Sequence, residues 1–474
     1  MKSNGVFAVL SIAWFCVSAA PASAQSQAVS TAELQNEIAQ LKAKVDALEI
    51  ANRQLEGLKA QVKVIDGRLE AQQEKARKDS KTRPVVEAGA KGFRIHSADD
   101  AYSLRIGGWI QADGRFYNTG TKPSGSTFVM RRVRPYLDGT VGRFFDYRVL
   151  VDFGQGTTTL QDAFTDVHYW PEFRLRAGKF KEPVGLERLQ DDRYLMFVER
   201  ALTVNLVPDR DLGAEFHGEL FGQRFEYRLG IFNGVPDNTA SPDIDNNDAK
   251  DFAGRIFMHP FAGSEYDFAQ QLGIGLAGTY GRESSTTLDK YRSAGQTTFF
   301  TYAKDVNASG DRFRLAPQLN YYRGPFGFQS EFVENTQRVR LVTAKSIGSN
   351  AHTLNNQAWQ VAGTYLITGE NASYASAVEP RRDFNPLSGG FGAWELAARV
   401  DQLTVDKDAF NYDEADPSTA SREAFEWDVG VNWYLNRNVK LMTDYARTSF
   451  IWGAPHGHNR EAESAILTEL QLMY

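Results

Sequence analysis

The segment Phe145-Asp146-Tyr147-Arg148-Val149-Leu150-Val151-Asp152-Phe153 alternates between two kinds of side chain. Every odd-numbered residue is apolar, whereas Asp146, Arg148 and Asp152 share the opposite face. Side chains of a β-strand point alternately to its two faces, so the pattern predicts a strand with one apolar and one polar face. The same scheme recurs in residues 225–231, 312–322, 394–401 and 427–435.

Such strands suit either a sandwich, with the apolar face inward, or a membrane barrel, with the apolar face toward lipid. The connections favour the barrel. Short turns such as Pro171-Glu172, Gly222-Gln223 and Asn436-Arg437-Asn438 alternate with long polar loops such as residues 181–211, 235–248 and 284–310. Short periplasmic turns and long extracellular loops are typical of outer-membrane barrels.

The end of the chain supports the same fold, because Ile466, Thr468, Leu470, Leu472 and Tyr474 form one lipid-facing row. Counting the alternating segments between residues 101 and 474 gives about sixteen strands, enough for an aqueous channel instead of a packed interior. The sequence therefore predicts an all-β fold, a transmembrane antiparallel β-barrel of about 16 strands, preceded by an N-terminal α-helical coiled coil.

The first residues indicate export. Lys2 is the only charged residue before a largely apolar run, residues 6–20, and the small-residue triplet Ala22-Ser23-Ala24 follows. This pattern predicts a signal peptide over residues 1–24. Cys16 is the only cysteine and lies within that segment, so we expect a mature chain with neither a disulfide nor a cysteine metal site.

The overall charge excludes one class of partner. The formal net charge is −6, which argues against a nucleic-acid-binding protein, since phosphate contacts call for a basic surface. No later apolar run reaches the ~18 residues of a membrane-spanning helix. A membrane location therefore requires a closed barrel, in which all backbone groups are paired.

Residues 25–71 carry a heptad pattern, with core positions Leu34, Ile38, Leu41, Val45, Leu48, Leu55, Val62 and Leu69. Heptads of this kind predict a coiled coil, and polar core residues such as Asn52 and Asp66 help to fix its register. A single amphipathic helix on the periplasmic mouth of the barrel is the alternative.

Residues 72–100 are predicted to be a basic linker and barrel lead-in. Lys75, Arg77, Lys78, Lys81 and Arg83 occur there with almost no apolar side chain, which indicates a solvated linker ending at Pro84. Contact with peptidoglycan or with lipid phosphates is the alternative to a plain spacer.

Between about Leu104 and Asp237 the chain resembles the phosphate-selective porin O and P family. The resemblance rests on residues 104–108 (LRIGG), 130–134 (MRRVR), 145–148 (FDYR) and above all 176–187 (RAGKFKEPVGLE). Thinner matches continue toward the C-terminus, at residues 197–200, 230–234, 368–370 and 392–399. The resemblance implies a homotrimer in the outer membrane of a Gram-negative bacterium. It also implies that the third extracellular loop, residues 181–211, folds into the lumen and narrows it.

The strand alternation supplies candidate pore-lining residues, because a charge facing lipid near the bilayer midplane costs ~2–4 kcal/mol. The arginines that should face the lumen are Arg132, Arg134, Arg148, Arg174, Arg176, Arg228, Arg255, Arg312 and Arg314. Arginines around a narrow aqueous path attract anions, here small anions such as phosphate. Carboxylates such as Glu426 and Asp428 should also face inward, however, on a distant strand. A transverse field across a general non-selective porin is therefore an equally good interpretation, and ordinary wall charges paired with neighbours are a third.

No sequence pattern indicates catalysis. Residues 273–278 (GIGLAG) match a dinucleotide-binding spacing but lack the following helix, and the pair His456 and His458 has no further ligand cluster beside it. We therefore expect no enzyme, no cofactor and no metal site. The remaining alternative is a structural barrel that tethers the envelope through its coiled coil.

Overall fold

The computed structural model describes residues 31–89, 92–118, 125–222, 224–238, 248–286, 288–342 and 351–474, without the side chains of residues 77–82. The expected signal peptide, with Cys16, lies outside the described residues, as does most of the loop 235–248. Among the described helices, none is long and apolar enough to cross a membrane.

The chain divides into two compact units between Ser80 and Lys81. The first contains helix α1, Thr31–Thr82, whose side chains are exposed as far as residue 76. A helix agrees with the heptad pattern, but α1 also includes residues 72–82, for which the sequence predicts a solvated basic linker. The reason is local: residues 72–82 contain neither glycine nor proline, so the helix ends only before Pro84.

The second unit is a β-barrel with short additions. Its elements are β1 (Val85–Gly89), β2 (Gly92–His96), β3 (Ser103–Tyr117), β4 (Thr127–Val141), β5 (Phe145–Asp152), β6 (Thr159–Trp170), β7 (Phe173–Lys181), α2 (Leu186–Leu189), β8 (Arg210–Leu220), β9 (Phe225–Phe232), β10 (Asp251–Met258), β11 (Leu272–Glu283), β12 (Lys290–Arg292), β13 (Thr298–Thr301), β14 (Val306–Arg323), β15 (Phe326–Leu341), β16 (His352–Leu366), β17 (Ala393–Thr404), α3 (Asp408–Asn411), β18 (Ser421–Asn436), β19 (Val439–Ala454), β20 (His458–Asn459) and β21 (Glu463–Met473). Without β1, β2, β12, β13 and β20, these strands form a closed antiparallel barrel of sixteen strands, as the sequence predicts.

The barrel closes where its last strand pairs with its first. In β21, Leu470 pairs with Ala112 of β3, and the backbone N–H of Gly108 donates to the carbonyl of Tyr474 over 3.1 Å. Beyond the residues of β3 that pair with β21, strand β2 pairs with the same edge of β3, with Phe93 opposite Ile106. The lead-in therefore contains a β1–β2 hairpin that completes the sheet where β21 ends.

The two faces of the strands differ as the alternation predicts. In β18 the inward side chains of Glu426, Asp428 and Asn432 are buried, whereas the outward side chains of Trp427 and Val429 are exposed. An apolar outer face and a polar inner face are what lipid outside and water inside require.

The connections confirm the expected asymmetry at most positions, including the two-residue turn Pro171-Glu172 between β6 and β7. One connection differs. Residues 367–392, which join β16 to β17 on the side of the short turns, form the longest connection there. Part of this segment packs inward, because Ala372 and Val378 are buried against Leu366 and Ala393.

Candidate functional site

Residues 182–209, here called the inner loop, connect β7 to β8 and pack against the inner wall of the barrel. Val184, Leu186, Leu202 and Leu206 are almost fully buried in this segment. Val184, Leu202 and Leu206 belong to an apolar cluster with inward side chains of the strands, such as Phe232. The inner loop is therefore a packed element.

Backbone N–H groups attach one side of the inner loop to carboxylates of the wall. The N–H of Val198 donates to Asp444 of β19 over 2.6 Å, and that of Leu202 donates to Asp401 of β17 over 3.0 Å. The N–H of Leu186 donates likewise to Glu331 of β15. A buried carboxylate needs such donors, since a buried charge without partners is costly.

Arginines of β4 hold the opposite side of the loop. Arg131 donates two hydrogen bonds to the Glu199 carboxylate, over 2.7 and 3.1 Å, and Arg134 donates to Asp192. Burial alone would raise the pKa of the Asp192 carboxyl, but Arg200, Arg134 and Arg132 together hold that pKa well below its usual range. Asp192 is therefore a carboxylate at neutral pH.

A second loop segment fills space beside the inner loop. The hairpin β12–β13 buries Phe299 and Phe300 in the same apolar cluster as Leu202. Between its strands, the backbone N–H of Ala294 donates to Glu426 of β18 over 3.0 Å. The half of the interior next to β14–β19 is therefore largely occupied by protein.

The connection of residues 367–392, on the side of the short turns, also contacts the inner loop. The hydroxyl of Tyr374 donates to the carbonyl of Leu186 over 2.6 Å, and the Gln190 side chain donates to the carbonyl of Tyr374 over 3.1 Å. These contacts support the inner loop on the turn side. Nothing in the alternation of the strands predicts them, because they lie in a segment without strand periodicity.

Open space follows the opposite wall, from β3 to β9, as three successive cavities. The outer cavity (about 260 Å³) and the middle cavity (about 300 Å³) share Asp192 and Arg210 on their walls. The middle cavity and the turn-side cavity (about 460 Å³) share Arg148, Phe164 and Arg176. Each has more basic than acidic side chains in its wall. The basic residues are Arg131, Arg132, Arg134, Arg188, Arg200, Arg210 and Arg292 in the outer cavity, Arg148, Arg176, Lys181, Arg210 and Arg228 in the middle one, and Arg94, Arg105, Arg148, Arg174 and Arg176 in the turn-side one.

Comparison with known proteins identifies the family. The sequence profile of phosphate-selective porin O and P matches residues 104–472, most of the chain. The chain belongs to the phosphate-selective porin O and P family. It is 23% identical over 385 residues to Porin O of Pseudomonas aeruginosa, covering 75% of this chain and 85% of that protein. Its fold is similar to that of the outer membrane channel DcaP of Acinetobacter baumannii, with a TM-score of 0.50 and 10% identity over 82% of this chain and 99% of that one. The protein is thus an outer-membrane porin, a channel and not an enzyme.

Six of the nine arginines expected in the lumen of this porin line the cavities. They are Arg132, Arg134, Arg148, Arg174, Arg176 and Arg228. They lie on β4, β5, β7 and β9.

The other three point inward but lie apart from these cavities. Arg312 donates to Asp251 over 3.0 Å, and Arg314 donates to Asp237 over 2.7 Å. Arg255 donates to Gln318 and Glu226 over 3.0 and 3.2 Å. All three are buried, so they fit the interpretation as paired wall charges. Alternation gives the direction of a side chain, but it cannot show which part of the interior the loops cover.

Arg148 differs from its neighbours in the porin's path. Within the described residues it donates no hydrogen bond, and its ion-pair distances are 3.4 Å to Asp162 and 3.8 Å to Asp138. Arg105, by contrast, makes two hydrogen bonds to Asp138, over 2.8 and 2.7 Å. Arg148 therefore retains donors for a passing ion.

Strand alternation does not predict that basic residues in and next to the inner loop line the pore. Arg188 and Arg200 of the loop, together with Lys181 and Arg210 at the ends of the adjoining strands, line the cavities. Their charges are visible in the sequence, but a loop has no periodicity from which to derive their direction. Lys181 donates to the carbonyls of Arg188 and Gln190 over 2.6 and 3.0 Å, so its ammonium is engaged with the loop backbone.

Two other motifs of the porin have structural explanations. Residues 273–278, the glycine-rich motif, lie in strand β11. Asp401, Glu426 and Asp428 come close enough together to suggest a cation site, but the guanidinium of Arg399 lies among them, 2.8 Å from Asp428 and 3.4 Å from Asp401. An arginine already supplies the positive charge that this cluster requires.

Proposed function

We propose that this porin is a passive channel that prefers small anions, with its permeation path along the arginine-rich wall from β3 to β9. The inner loop, the third loop on the long-loop side, narrows the lumen and leaves this path open. Small hydrophilic solutes diffuse through it without a cofactor or an energy source.

The position of Arg148 along the cavities is the observation that carries the proposal. Its guanidinium borders the middle and turn-side cavities and also a smaller one beside Tyr136. An ion moving along the wall must pass this residue, which offers unengaged donors and a permanent positive charge. Low-dielectric walls strengthen the field of such a charge.

The location of the acidic residues favours an anion preference over a transverse field. Glu426 and Asp428 are buried and bordered by Arg399, and Glu426 also receives the N–H of Ala294. The loops thus lie between these carboxylates and the open path. A general non-selective porin would need them exposed to the permeating ions.

Phosphate is a candidate solute because of the family. Anions of this kind bind where several donors converge, and guanidinium groups provide paired donors. Most arginines along the path are already engaged with carboxylates, such as Arg228 with Glu215 over 2.9 Å. This arrangement supports permeation of small anions more directly than tight binding of phosphate alone.

The N-terminal helix contributes to assembly. Leu34, Ile38, Leu41, Val45 and Leu48 are all about half exposed or more in the single chain, although they form the heptad seam. Burying that seam against identical helices is favourable, which supports a homotrimer with a coiled coil in the periplasm. The basic residues near its end can meet peptidoglycan or lipid phosphates, and the apolar outer face of the barrel contacts outer-membrane lipids.

Reversal potentials test the proposal. The purified full-length porin is inserted into planar bilayers, and the zero-current potential is measured across a KCl gradient. Chloride should permeate better than potassium. A potential of the opposite sign would contradict an anion preference, and a value near zero would favour a non-selective porin.

A further inference from the structure

Aromatic rings interrupt the charged wall of the permeation path, and Phe164 is the one that borders two of its cavities. Phe164 lies on β6, directly opposite Arg148 of β5 in the sheet, and it borders both the middle and the turn-side cavities. It is only partly buried. A path made solely for inorganic ions has no need for an apolar surface at this point, because such ions are bound by charge and hydrogen bonds.

A glycine in close backbone contact lies beside this ring in the wall. Gly178 of β7 is the other neighbour of Phe164 across the sheet. Its φ of +131° is one that residues with side chains rarely adopt, and a Cβ there would lie 2.2 Å from the carbonyl oxygen of Ala163. No side chain can therefore stand next to the ring on that side.

Charged groups flank the ring in a defined arrangement. The Arg176 guanidinium lies 4.4 Å from the centre of the Phe164 ring and is held by Asp166 over 2.7 Å. Arg148, on the other side, stacks 4.9 Å from the Tyr136 ring. As far as the structure describes the chain, the buried Nε of Arg148 has no hydrogen-bond acceptor, and the guanidinium is held only by ion pairs, at 3.4 Å to Asp162 and 3.8 Å to Asp138.

We propose that the junction of the two cavities is a binding site for aromatic carboxylates. The carboxylate takes the fork of donors on Arg148, which matches its planar geometry. The ring of the ligand packs against Phe164 inside the middle cavity, which this side chain borders. Small-molecule sites combine apolar contact with a few placed polar groups in this way, and the middle cavity, at about 300 Å³, is of the size of such sites. The proposal rests on the anion preference argued above and adds a solute class to it.

Benzoate is the probe. Acetate and phosphate are the controls, because both are anions like benzoate but have no aromatic ring. With full-length porin in ~0.1 M KCl, where the Debye length is ~10 Å, we expect benzoate to reduce the single-channel chloride current reversibly. Acetate and phosphate should need at least about tenfold higher concentrations, because neither has a ring to pack.

Substitutions separate the ring from the charge. Phe164→Leu should raise the half-blocking benzoate concentration about five- to tenfold, whereas Phe164→Tyr should retain the block. Phe313→Leu, on the exposed outer face of β14, is the matched control and should change nothing. If Phe164→Leu fails to fold, the Tyr variant and the comparison of the three anions still decide the question.

The proposal is overturned if acetate or phosphate blocks as well as benzoate does, or if Phe164→Leu leaves the benzoate block unchanged. The KCl reversal potential, recorded without added anions, keeps this test apart from the proposed function. An anion-preferring channel without a benzoate block refutes only the aromatic site. A channel that prefers cations refutes both.

Discussion

The carboxylate of Glu199 receives two hydrogen bonds from Arg131, with Nε to Oε1 at 2.7 Å and Nη2 to Oε2 at 3.1 Å. This bidentate pair joins the inner loop to β4, while the N–H of Val198 joins the adjoining residue to Asp444 on β19. Two neighbouring residues of one loop thus attach it to strands on different parts of the wall. We expect the width of the path to depend on these attachments.

Replacing Glu199 by glutamine should loosen the inner loop. Removing one partner of a buried ion pair costs ~3–5 kcal/mol, because the remaining charge stays buried without compensation. We expect a larger and noisier single-channel conductance in Glu199→Gln. Glu219→Gln, at an exposed position of β8, is the control. Conductance and noise equal to those of the unmodified porin would show that this pair does not fix the loop.

The attachment of Glu199 to Arg131 should persist under moderately acidic conditions. Burial alone would raise the pKa of Glu199, but Arg131 and the other nearby arginines lower it from 4.5 to about 2. A lowered pKa in the folded state means that the pair stabilises fully above about pH 4.5 and loses its effect as the pH falls toward about 2. The difference in single-channel conductance between Glu199→Gln and the unmodified porin should therefore be the same at about pH 7 and at about pH 5. A difference that disappears at about pH 5 would contradict this assignment.

The arginines of the outer and middle cavities should act together on selectivity. Replacing Arg132, Arg134 and Arg176 by glutamine should shift permeability toward cations. The shift should shrink in ~1 M salt, where the Debye length is only ~3 Å. Arg340→Gln, an exposed position at the loop end of β15, controls for effects of surface charge. An unchanged reversal potential at low salt would mean that these three are wall charges only.

The barrel unit should fold without the helical unit. A porin lacking residues 25–83 should still insert, because every barrel strand makes its hydrogen bonds within the second unit. We expect its trimers to dissociate at a lower temperature on semi-native gels. Replacing Leu41 and Leu48 of the seam by aspartate should have the same effect, whereas Ala43→Asp, on the helix face opposite the seam, should not. A truncated chain that fails to fold in lipid would contradict the two-unit division.

The sequence predicts the barrel well because lipid outside and water inside impose an alternation on each strand. Arg148 and Asp152 could be assigned to the inner face from nine residues alone. The loops obey no such rule. Neither the covering of Glu426 by Ala294 nor the contact of Tyr374 with Leu186 follows from periodicity, since both arise when connecting segments fold inward. Alternation therefore predicts an inward direction for Arg312 and Arg314 but not their buried surroundings. The charge pattern does not predict that α1 extends to Thr82, because charge without a helix breaker does not end a helix.

If ions follow the arginine wall, they must pass Arg148. Comparing the reversal potential of Arg148→Gln with that of the unmodified porin is therefore the most direct test. A unit charge ~4 Å from an ion is worth ~1 kcal/mol in water, so its loss should lower the ratio of anion to cation permeability about fivefold. We predict that shift in a ~0.1 M KCl gradient, with Arg340→Gln unchanged. Equal reversal potentials for Arg148→Gln and the unmodified porin would contradict the account, because the ions would then take a path that avoids this residue.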